Sequence, residues 1–354
     1  MTCCGEVTGE RPGFYMSIPK EIREQAMAQM QGAMALHVAY IGIYNGLFSA
    51  IAEMKTANPD ELTARTGLDI GYLQRWCDAA FGFGLLDEVD GKLTLADTGK
   101  AFISDAIGTA MPFAVQSMIS AHMAERAAVL MRSGERPGEK VLAERQSIIA
   151  LFGPMLEAMF SGIFEEQILQ KLPVYREADE NGGLVVDLGC GNGWHLRRLA
   201  LRFPRLRGIG LDDFQENIDH ANRLAQRDSV AGRLTFIKGD IYEFSVKEPA
   251  DLITMNRVLH HVWEDKHKVF KILKERLKAG GSVVIWEPNW PRNRSELRSP
   301  AKRGMAFQNL AEHIMGNRFL YPEEIEAEFH SAGMETDTHL FANGNDVVVI
   351  GRKQ

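Results

Sequence analysis

The sequence predicts an α/β protein in which a mostly helical N-terminal region precedes a parallel sheet covered by helices. Two observations support this fold class. Between residues 184 and 288, short segments rich in Val, Ile and Leu alternate with segments of helical apolar spacing. The first strand, at residues 184–188, ends at three glycines spaced two apart, and helical spacing resumes at Trp194. A strand, a tight glycine turn and a helix in this order are typical of the first unit of a nucleotide-binding sheet.

The composition is that of an ordinary globular protein with a large core. The chain has 354 residues, 45% hydrophobic and 25% charged, a length that suits two domains. Its net charge of -7 argues against a surface that binds nucleic acid. Its cysteines have no metal-finger spacing and favour a reducing compartment; they are Cys3, Cys4, Cys77 and Cys190. Residues 1–17 lack the apolar core of a signal peptide, and we expect no membrane-spanning stretch and a cytoplasmic location.

Changes in pattern along the chain predict four parts. These are an N-terminal tail (1–20), a helical and winged-helix dimerisation domain (21–108), a helical connector lining the substrate pocket (109–172) and the sheet domain (173–354). Apolar residues cover more of the first helical region, residues 19–54, than one packed face requires. We therefore expect this region to pack against a second copy of the chain, which predicts a homodimer.

Residues 58–103 have the pattern of a winged helix. The predicted elements are a helix at 59–66, a turn at 67–69, a helix at 70–84 and a hairpin at 85–98 with the turn Asp90-Gly91. A DNA-reading winged helix carries basic and amide residues on its second helix, whereas this one offers Arg75 beside Asp69 and Asp78. A packing and dimerisation role is therefore favoured, and a winged-helix DNA-binding regulator is kept as a remote alternative.

The segment from residue 110 to residue 171 is predicted to be helical and is rich in Met and Phe. Such residues at helical spacing more often form a core than a pocket, but methionine also lines adaptable cavities. Met155 and Met159 are the candidates for a substrate-facing position. One of Arg126, Arg132 and Arg145 could bind a substrate carboxylate, because a guanidinium forms bidentate pairs with carboxylates.

The glycine turn reads Asp187-x-Gly189-x-Gly191-x-Gly193. Glycine suits this turn because the backbone must bend sharply and lie close to a ligand without a Cβ in the way. A dinucleotide fingerprint would need its third glycine at position 194, which is Trp194, so NAD binding is disfavoured. The motif resembles the first motif of the class I methyltransferases that use S-adenosylmethionine (SAM).

Polar side chains stand at or near the predicted carboxyl ends of the successive strands, where open α/β sheets bind ligands. Asp212 can accept both ribose hydroxyls, and Asp240 with Ile241 can hold an adenine amino group and ring. Asn256 ends the fourth strand and Glu287 the fifth. A helix cap would explain any single one, but several behind a glycine turn favour a cofactor site. Its predicted members are Asp187, Gly189, Gly191, Gly193, Asp212, Asp240, Ile241 and Asn256.

Three histidines are the candidate catalytic residues. His260 and His261 follow the fourth strand, and His313 precedes the last predicted helix. A lone histidine is most often structural. One at the carboxyl end of a strand in this fold can accept a proton from a substrate near neutral pH. The sequence leaves open which of His260 and His261 faces the pocket, and the motif favours His260.

Together these motifs resemble the small-molecule O-methyltransferases of plants and bacteria, in which a winged-helix dimerisation domain precedes a Rossmann-like SAM domain. The resemblance covers nearly all of the chain after about residue 20 and rests on residues 187–193, Asp212, Asp240, residues 258–260 and Glu287. It implies a SAM-dependent, homodimeric methyltransferase of a small metabolite in which His260 removes a phenolic proton. In that family the Leu-His pair is usually followed by Asp-Trp, whereas His261-Val262-Trp263 stands here.

With this departure, the arrangement of histidines resembles a branch of the family that methylates the β-carbon of α-keto acids. These keto acids are precursors of β-methyl amino acids, and the enzymes hold one iron with two histidines. The resemblance implies His260 and His313 as the iron ligands and Arg145 as the partner of the substrate carboxylate. An α-keto acid chelates a metal through its carboxylate and keto oxygens, and a Lewis acid stabilises the enolate. We prefer this C-methylation over metal-free O-methylation with His260 as the base.

Overall fold

The computed structural model describes residues 17–354, and the part before the main sheet is helical. Its elements are α1 (Lys20–Tyr44), α2 (Leu47–Met54), α3 (Pro59–Thr66), α4 (Ile70–Gly82), β1 (Leu86–Val89), β2 (Lys92–Leu95), α5 (Asp97–Lys100), α6 (Met111–Ser133), α7 (Lys140–Ala143), α8 (Gln146–Ile163), a π-helical turn (Phe164–Ile168), α9 (Leu169–Lys171) and α10 (Val174–Glu180). Cys3, Cys4 and most of the predicted tail lie outside the described residues. The region predicted to be helical at 19–54 is two helices, because Gly46 takes the left-handed conformation between them.

The helices and the hairpin predicted for residues 58–103 are present, with α3 and α4 followed by the hairpin β1–β2. Local chemistry explains each boundary. The Asn58 side chain accepts a hydrogen bond from the backbone of Glu61 and the Glu61 carboxylate accepts one from the backbone of Asn58, which caps α3. Asp69 caps α4 through the backbone N–H of Tyr72. The hairpin turns at Asp90-Gly91, and both residues have positive φ, as a two-residue turn requires.

The connector is helical as predicted and consists of several helices. Residues 134–139 form a loop between α6 and α7, because Gly134 ends α6 in the left-handed conformation and Pro137 and Gly138 disfavour a helix. This loop carries Glu139 to the edge of the sheet domain, where it meets His261. The predicted domain boundaries themselves stay predictions.

The C-terminal half is a seven-stranded sheet with helices on both faces. Its elements are β3 (Leu184–Leu188), α11 (Trp194–Arg202), β4 (Arg207–Asp212), α12 (Gln215–Arg227), β5 (Leu234–Lys238), β6 (Ala250–Asn256), a 3₁₀ helix (Leu259–Asp265), α13 (Lys266–Arg276), β7 (Leu277–Pro288), a 3₁₀ helix (Arg294–Arg298), α14 (Pro300–Met315), α15 (Pro322–Ser331), β8 (Met334–Phe341), a 3₁₀ turn (Ala342–Gly344) and β9 (Asp346–Lys353). The strand order is β5-β4-β3-β6-β7-β9-β8. The five strands predicted from sequence are the parallel ones, and β9 and β8 add two antiparallel strands.

Two parts of this sheet differ from the expected pattern. The Gly280-Gly281 pair, predicted as a turn, lies within β7, where the register against β6 shifts. The strands β8 and β9 were not predicted. Residues of β9 are almost all buried, so β9 shows no alternation between buried and exposed positions. The order of the parallel strands nevertheless brings the carboxyl ends of β3, β4 and β6 together.

One helical segment, Gln146–Lys171, is long and apolar enough to cross a membrane by length and composition alone. The segment contains Glu157, Glu165 and Glu166, so it is not the charge-free apolar stretch that the sequence was expected to lack. The bent pair α1–α2 passes the same test if its 72° bend is counted within one span. Core helices of globular proteins satisfy this test as well. The α8 part of the segment packs against α6 and α11 and therefore lies between the two halves of the molecule.

Candidate active site

The glycine loop between β3 and α11 needs glycine for two reasons. Gly189, Gly191 and Gly193 all have φ between +54° and +72°, a conformation that side chains disfavour. A Cβ at Gly189 would also lie 2.6 Å from Val258, and one at Gly193 would lie 2.5 Å from the ring of Phe236. The loop therefore packs directly against the turn after β6, which is the turn that carries His260.

Asp212, at the end of β4, holds the glycine loop with its side chain. Its Oδ2 accepts a hydrogen bond from the backbone of Gly191 at 2.9 Å, and its Oδ1 accepts from the backbone of Phe214 and from Asn217. Burial raises the pKa of this carboxyl above its usual value, although these three donors oppose the shift. A charged acceptor that bridges the ends of two strands beside a glycine turn suits the hydroxyls of a ribose.

Asp187 is 2% exposed and ties β3 to β6. Its Oδ1 accepts hydrogen bonds from the hydroxyl of Thr254 at 2.6 Å and from the amide of Asn256 at 3.0 Å. The imidazole of His195 lies 3.6 Å from the same oxygen. Asp187 therefore supports the strand ends, while the amide oxygen of Asn256 is buried and has no partner among the described residues.

Asp240 and Ile241 follow β5 at the same edge of the sheet. The side chain of Asp240 is exposed and accepts a hydrogen bond from the backbone of Tyr242 at 2.8 Å, while Ile241 is half-buried. An exposed carboxylate beside a half-buried aliphatic side chain matches the expected pattern for an adenine.

His260 is held between two carboxylates. Its Nδ1 lies 2.6 Å from Oε2 of Glu287 at the end of β7, and its Nε2 lies 3.6 Å from Oε2 of Glu312 on α14. None of the three residues is more than 7% exposed. Burial lowers the pKa of His260, but the charges and hydrogen bonds of Glu287 and Glu312 outweigh it and raise the pKa to about 10. The raised pKa keeps His260 protonated at neutral pH, and the contact with Glu287 fixes its orientation.

His261 is adjacent but faces a different set of groups. Its Nδ1 lies 2.5 Å from a carboxylate oxygen of Glu139 and 3.1 Å from the amide nitrogen of Asn317, and its ring centre is 4.2 Å from that of His260. The hydrogen bond with His261 lowers the pKa of Glu139 below its usual value, against the effect of burial. The structure thus brings both histidines together, with His260 buried and His261 half-buried.

Arg257 shapes the turn between β6 and these histidines. Its φ is +58°, an unusual conformation for a residue with a side chain. The conformation is held by a hydrogen bond from its backbone N–H to the carbonyl of Trp286 at 2.7 Å and by an ion pair with Asp346. Its guanidinium also stacks over the ring of Phe160, 4.0 Å from the ring centre. This local strain at the site is stabilised by groups from β7, β9 and α8.

The structure does not place His313 beside His260, so the expected pair of metal ligands is wrong. His313 is on the exposed side of α14, and its neighbour Glu312 faces His260. Successive residues of a helix point about 100° apart, so only one of the two can face the pocket. The cluster with suitable ligand atoms, all within 4.8 Å of one another, is His260, His261 and Glu312.

The predicted substrate residues are also placed differently from expectation. Arg145 is exposed, and its guanidinium lies 3.6 Å from the carboxylate of Glu125 on α6. Met155 is 1% exposed and belongs to the apolar core of the helical region, so it is a core residue. Met159 is half-buried on α8. The roles of Arg145 and Met159 as substrate contacts stay predictions, and Met155 lies in the core.

Sequence reasoning missed three residues of this site: Glu139, Glu312 and Arg257. No local pattern marks Glu139 or Glu312, since both come from distant segments. Arg257 directly follows Asn256, the polar end of β6, and this position is the one sequence feature that could mark it as a site residue.

Known proteins that this chain resembles in sequence are methyltransferases. Residues 185–281 match the family model described as "Methyltransferase domain". An O-methyltransferase from Streptomyces lavendulae is 27% identical over 70% of this chain and 73% of its own length. A trans-aconitate 2-methyltransferase from Pseudomonas aeruginosa is 26% identical over 42% of this chain, and the match spans only 51% of that relative.

A solved structure with a similar fold is human N-acetylserotonin methyltransferase in complex with SAM. It aligns with a TM-score of 0.71 and 17% identity, over 96% of this chain and 99% of that one. The agreement covers the helical region as well as the sheet. This chain therefore contains a methyltransferase domain, and its overall fold is similar to that of a methyltransferase of known structure.

Proposed function

We propose that this protein transfers a methyl group from SAM to a hydroxyl group of a small phenolic or otherwise hydroxylated molecule, with His260 as the base. The observation that carries the proposal is His260 itself, buried between Glu287 and Glu312. It stands two residues after Val258, the side chain that packs against Gly189 of the glycine loop. Methyl transfer to a deprotonated oxygen needs a base close to the cofactor, and this turn brings His260 close to the glycine loop.

The residues at the strand ends fit SAM. The buried amide oxygen of Asn256 has no partner among the described residues and can accept from an ammonium group. The carboxylate of Asp212 would accept from the ribose hydroxyls, and Asp240 with Ile241 would border the adenine. Gly191 faces open space, since a Cβ there would meet no atom within 4 Å. When bound, SAM supplies the electrophilic methyl group.

The role of His260 follows from its two partners. Glu287 at Nδ1 favours the tautomer in which Nε2, on the side of Glu312, is the nitrogen that can accept a proton, as the carboxylate does in other histidine bases. A phenol with a pKa of about 10 is matched to a base of similar strength, so the proton moves between them at little cost. Once the proton is on Nε2, the carboxylate of Glu312, 3.6 Å away, stabilises the resulting charge.

The proposal is tested by incubating the protein with labelled SAM and a panel of acceptors. The panel contains catechol, a naphthol, trans-aconitate and phenylpyruvate. Transfer to a phenolic oxygen that is lost in His260→Gln supports the proposal. Transfer only to a carboxylate or a carbon, or full activity of His260→Gln on phenols, contradicts it.

A second candidate function is methyl transfer to the β-carbon of an α-keto acid. One observation favours it: His260, His261 and Glu312 offer two imidazoles and one carboxylate within 4.8 Å of one another, a donor set that suits iron(II). A metal ion there would act as a Lewis acid toward a keto acid. This set replaces the expected pair of His260 and His313. Two measurements on protein purified without chelators separate the two functions: its metal content, and methyl transfer to phenylpyruvate as the acceptor.

We also infer that two copies of the chain pair through α1. This helix has 25 residues, and its first half is exposed along its whole length. Large apolar side chains stand on that exposed surface, including Ile22 at 54%, Met27 at 52%, Met30 at 46% and Met34 at 45% exposure. A second copy would cover this surface, because contiguous exposed apolar patches mark interaction sites.

A further inference from the structure

We propose that α8 is a positioning element that sets the conformation of the glycine loop, acting on Asn192 through Gly153 and Glu157. The proposal rests on the proposed function, because it assigns a role in SAM binding to residues outside the cofactor site. Asn192 lies between Gly191 and Gly193, and its side chain is 2% exposed. The groups that bury it come from α8, which belongs to the helical region.

The first contact is steric. A Cβ built on Gly153 would lie 3.0 Å from Cβ, 3.1 Å from Cγ and 3.2 Å from Nδ2 of Asn192. The backbone of α8 therefore rests directly on this side chain, and a methyl group at Gly153 would require Asn192 to move by a few tenths of an ångström. Asn192 has little freedom to move away, since its Oδ1 accepts from the backbone N–H of Trp194 at 3.3 Å, in the first turn of α11.

The second contact is electrostatic. One turn further along α8, the carboxylate of Glu157 accepts hydrogen bonds from Arg197 at 2.5 Å, from Arg198 at 3.1 Å and from the amide of Asn192 at 3.5 Å. Arg197 is 1% exposed, and it also forms an ion pair with Asp228. A buried guanidinium between two carboxylates fixes its surroundings, because loss of either partner leaves an uncompensated charge.

These contacts join the start of α11 and the glycine loop to one face of α8. The same helix carries Phe160, whose ring centre lies 5.6 Å from that of Trp286, the neighbour of Glu287 on β7. A local change at Gly153 or Glu157 therefore acts on the glycine loop, while Phe160, which supports the turn carrying His260, lies further along α8. The expected consequence is a change in affinity for SAM, with the chemical step preserved.

The decisive experiment compares Gly153→Ala with Gly162→Ala. Both glycines lie in α8 and both substitutions favour the helix to a similar extent, but a Cβ at Gly162 meets no atom within 4 Å. We expect Gly153→Ala to raise the dissociation constant of SAM, measured by titration calorimetry, by about tenfold or more. The KM of the acceptor and kcat at saturating SAM should change by less than about twofold. Gly162→Ala should match the wild type in all three quantities.

A second pair of variants keeps the test informative if Gly153→Ala folds poorly. Glu157→Gln removes the charge at Arg197, while Glu165→Gln removes a more exposed partner of Arg198. Weaker SAM binding in Glu157→Gln alone supports the proposal. Unchanged SAM binding in both Gly153→Ala and Glu157→Gln, beside a wild type that binds SAM, overturns it. A wild type that fails to bind SAM instead overturns the proposed function.

Discussion

Nδ1 of His260 lies 2.6 Å from a carboxylate oxygen of Glu287, and neither side chain is more than 4% exposed. The pair joins the turn after β6 to the end of β7. It makes His260 both strongly basic and fixed in orientation, and most of the expected behaviour of the site follows from this contact.

The activity toward simple phenols should increase with pH. Because the pKa of His260 is raised to about 10, the imidazole is largely protonated at neutral pH, and its basic form increases as the pH rises. We expect kcat/KM to rise about tenfold per pH unit from about pH 6 and to level off near pH 10. Initial rates across this range, at fixed ionic strength, provide the measurement. A flat profile would show that His260 is not the base.

Replacing Glu287 should shift the pH dependence of kcat/KM. Glu287→Gln removes the charge that raises the pKa of His260, so the midpoint should shift to lower pH, and the weaker base should lower the plateau rate. The expected loss in kcat is about tenfold to a thousandfold. The same pH series, run on this variant, makes the comparison. An unchanged midpoint would exclude Glu287 as the source of the basicity.

Glu312 and His313 provide a matched pair of neighbours on α14. Glu312→Gln should reduce kcat by about tenfold or more, because the carboxylate facing Nε2 of His260 is lost. His313→Ala should keep wild-type activity, since the side chain is exposed. Both variants are assayed with and without a chelator. Loss of phenol methylation on chelation would favour the metal-dependent function instead.

Replacing Asp212 should weaken the binding of SAM, whereas replacing its neighbour Asp213 should not. Asp212→Asn replaces an acceptor of three hydrogen bonds by a group that also carries two donors, whereas the side chain of Asp213 is exposed. A lost hydrogen bond to a charged group costs about 1.5–3 kcal/mol, so the dissociation constant of SAM should rise about tenfold to a hundredfold. Calorimetric titration of both variants tests this expectation. If the two variants bind SAM with equal affinity, Asp212 is not part of the cofactor site.

A charge on the exposed surface of α1 should weaken the proposed dimer. Met30→Glu would place a carboxylate in the surface that the second copy covers, and sedimentation velocity should show a shift from dimer to monomer. Leu201→Glu on α11 serves as the control, because Leu201 is 56% exposed and belongs to the sheet domain. A wild type that is monomeric at micromolar concentration would contradict the pairing.

The order of the elements could be predicted because each depends on neighbours in sequence. The glycines of residues 189–193 and the Asp90-Gly91 turn act over a few residues and are found where predicted. The side chains of Asn58 and Asp69, which act over a similar range, cap the helices that follow them. The alternation of strands and helices then leads to a parallel sheet with polar groups at its carboxyl ends. The sequence by itself thus determined the fold class, the cofactor loop and His260 as the candidate base.

Only the tertiary structure decided which groups face His260 and His261. Glu139 is 122 residues from His261 in sequence, and Glu287 is 27 residues from His260. The rotation of α14 about its axis, which turns Glu312 inward and His313 outward, depends on how that helix packs against α6. Such contacts are set by the packing of whole elements, so no local pattern encodes them. That packing places His260 between two carboxylates, the arrangement on which its proposed role as a base rests.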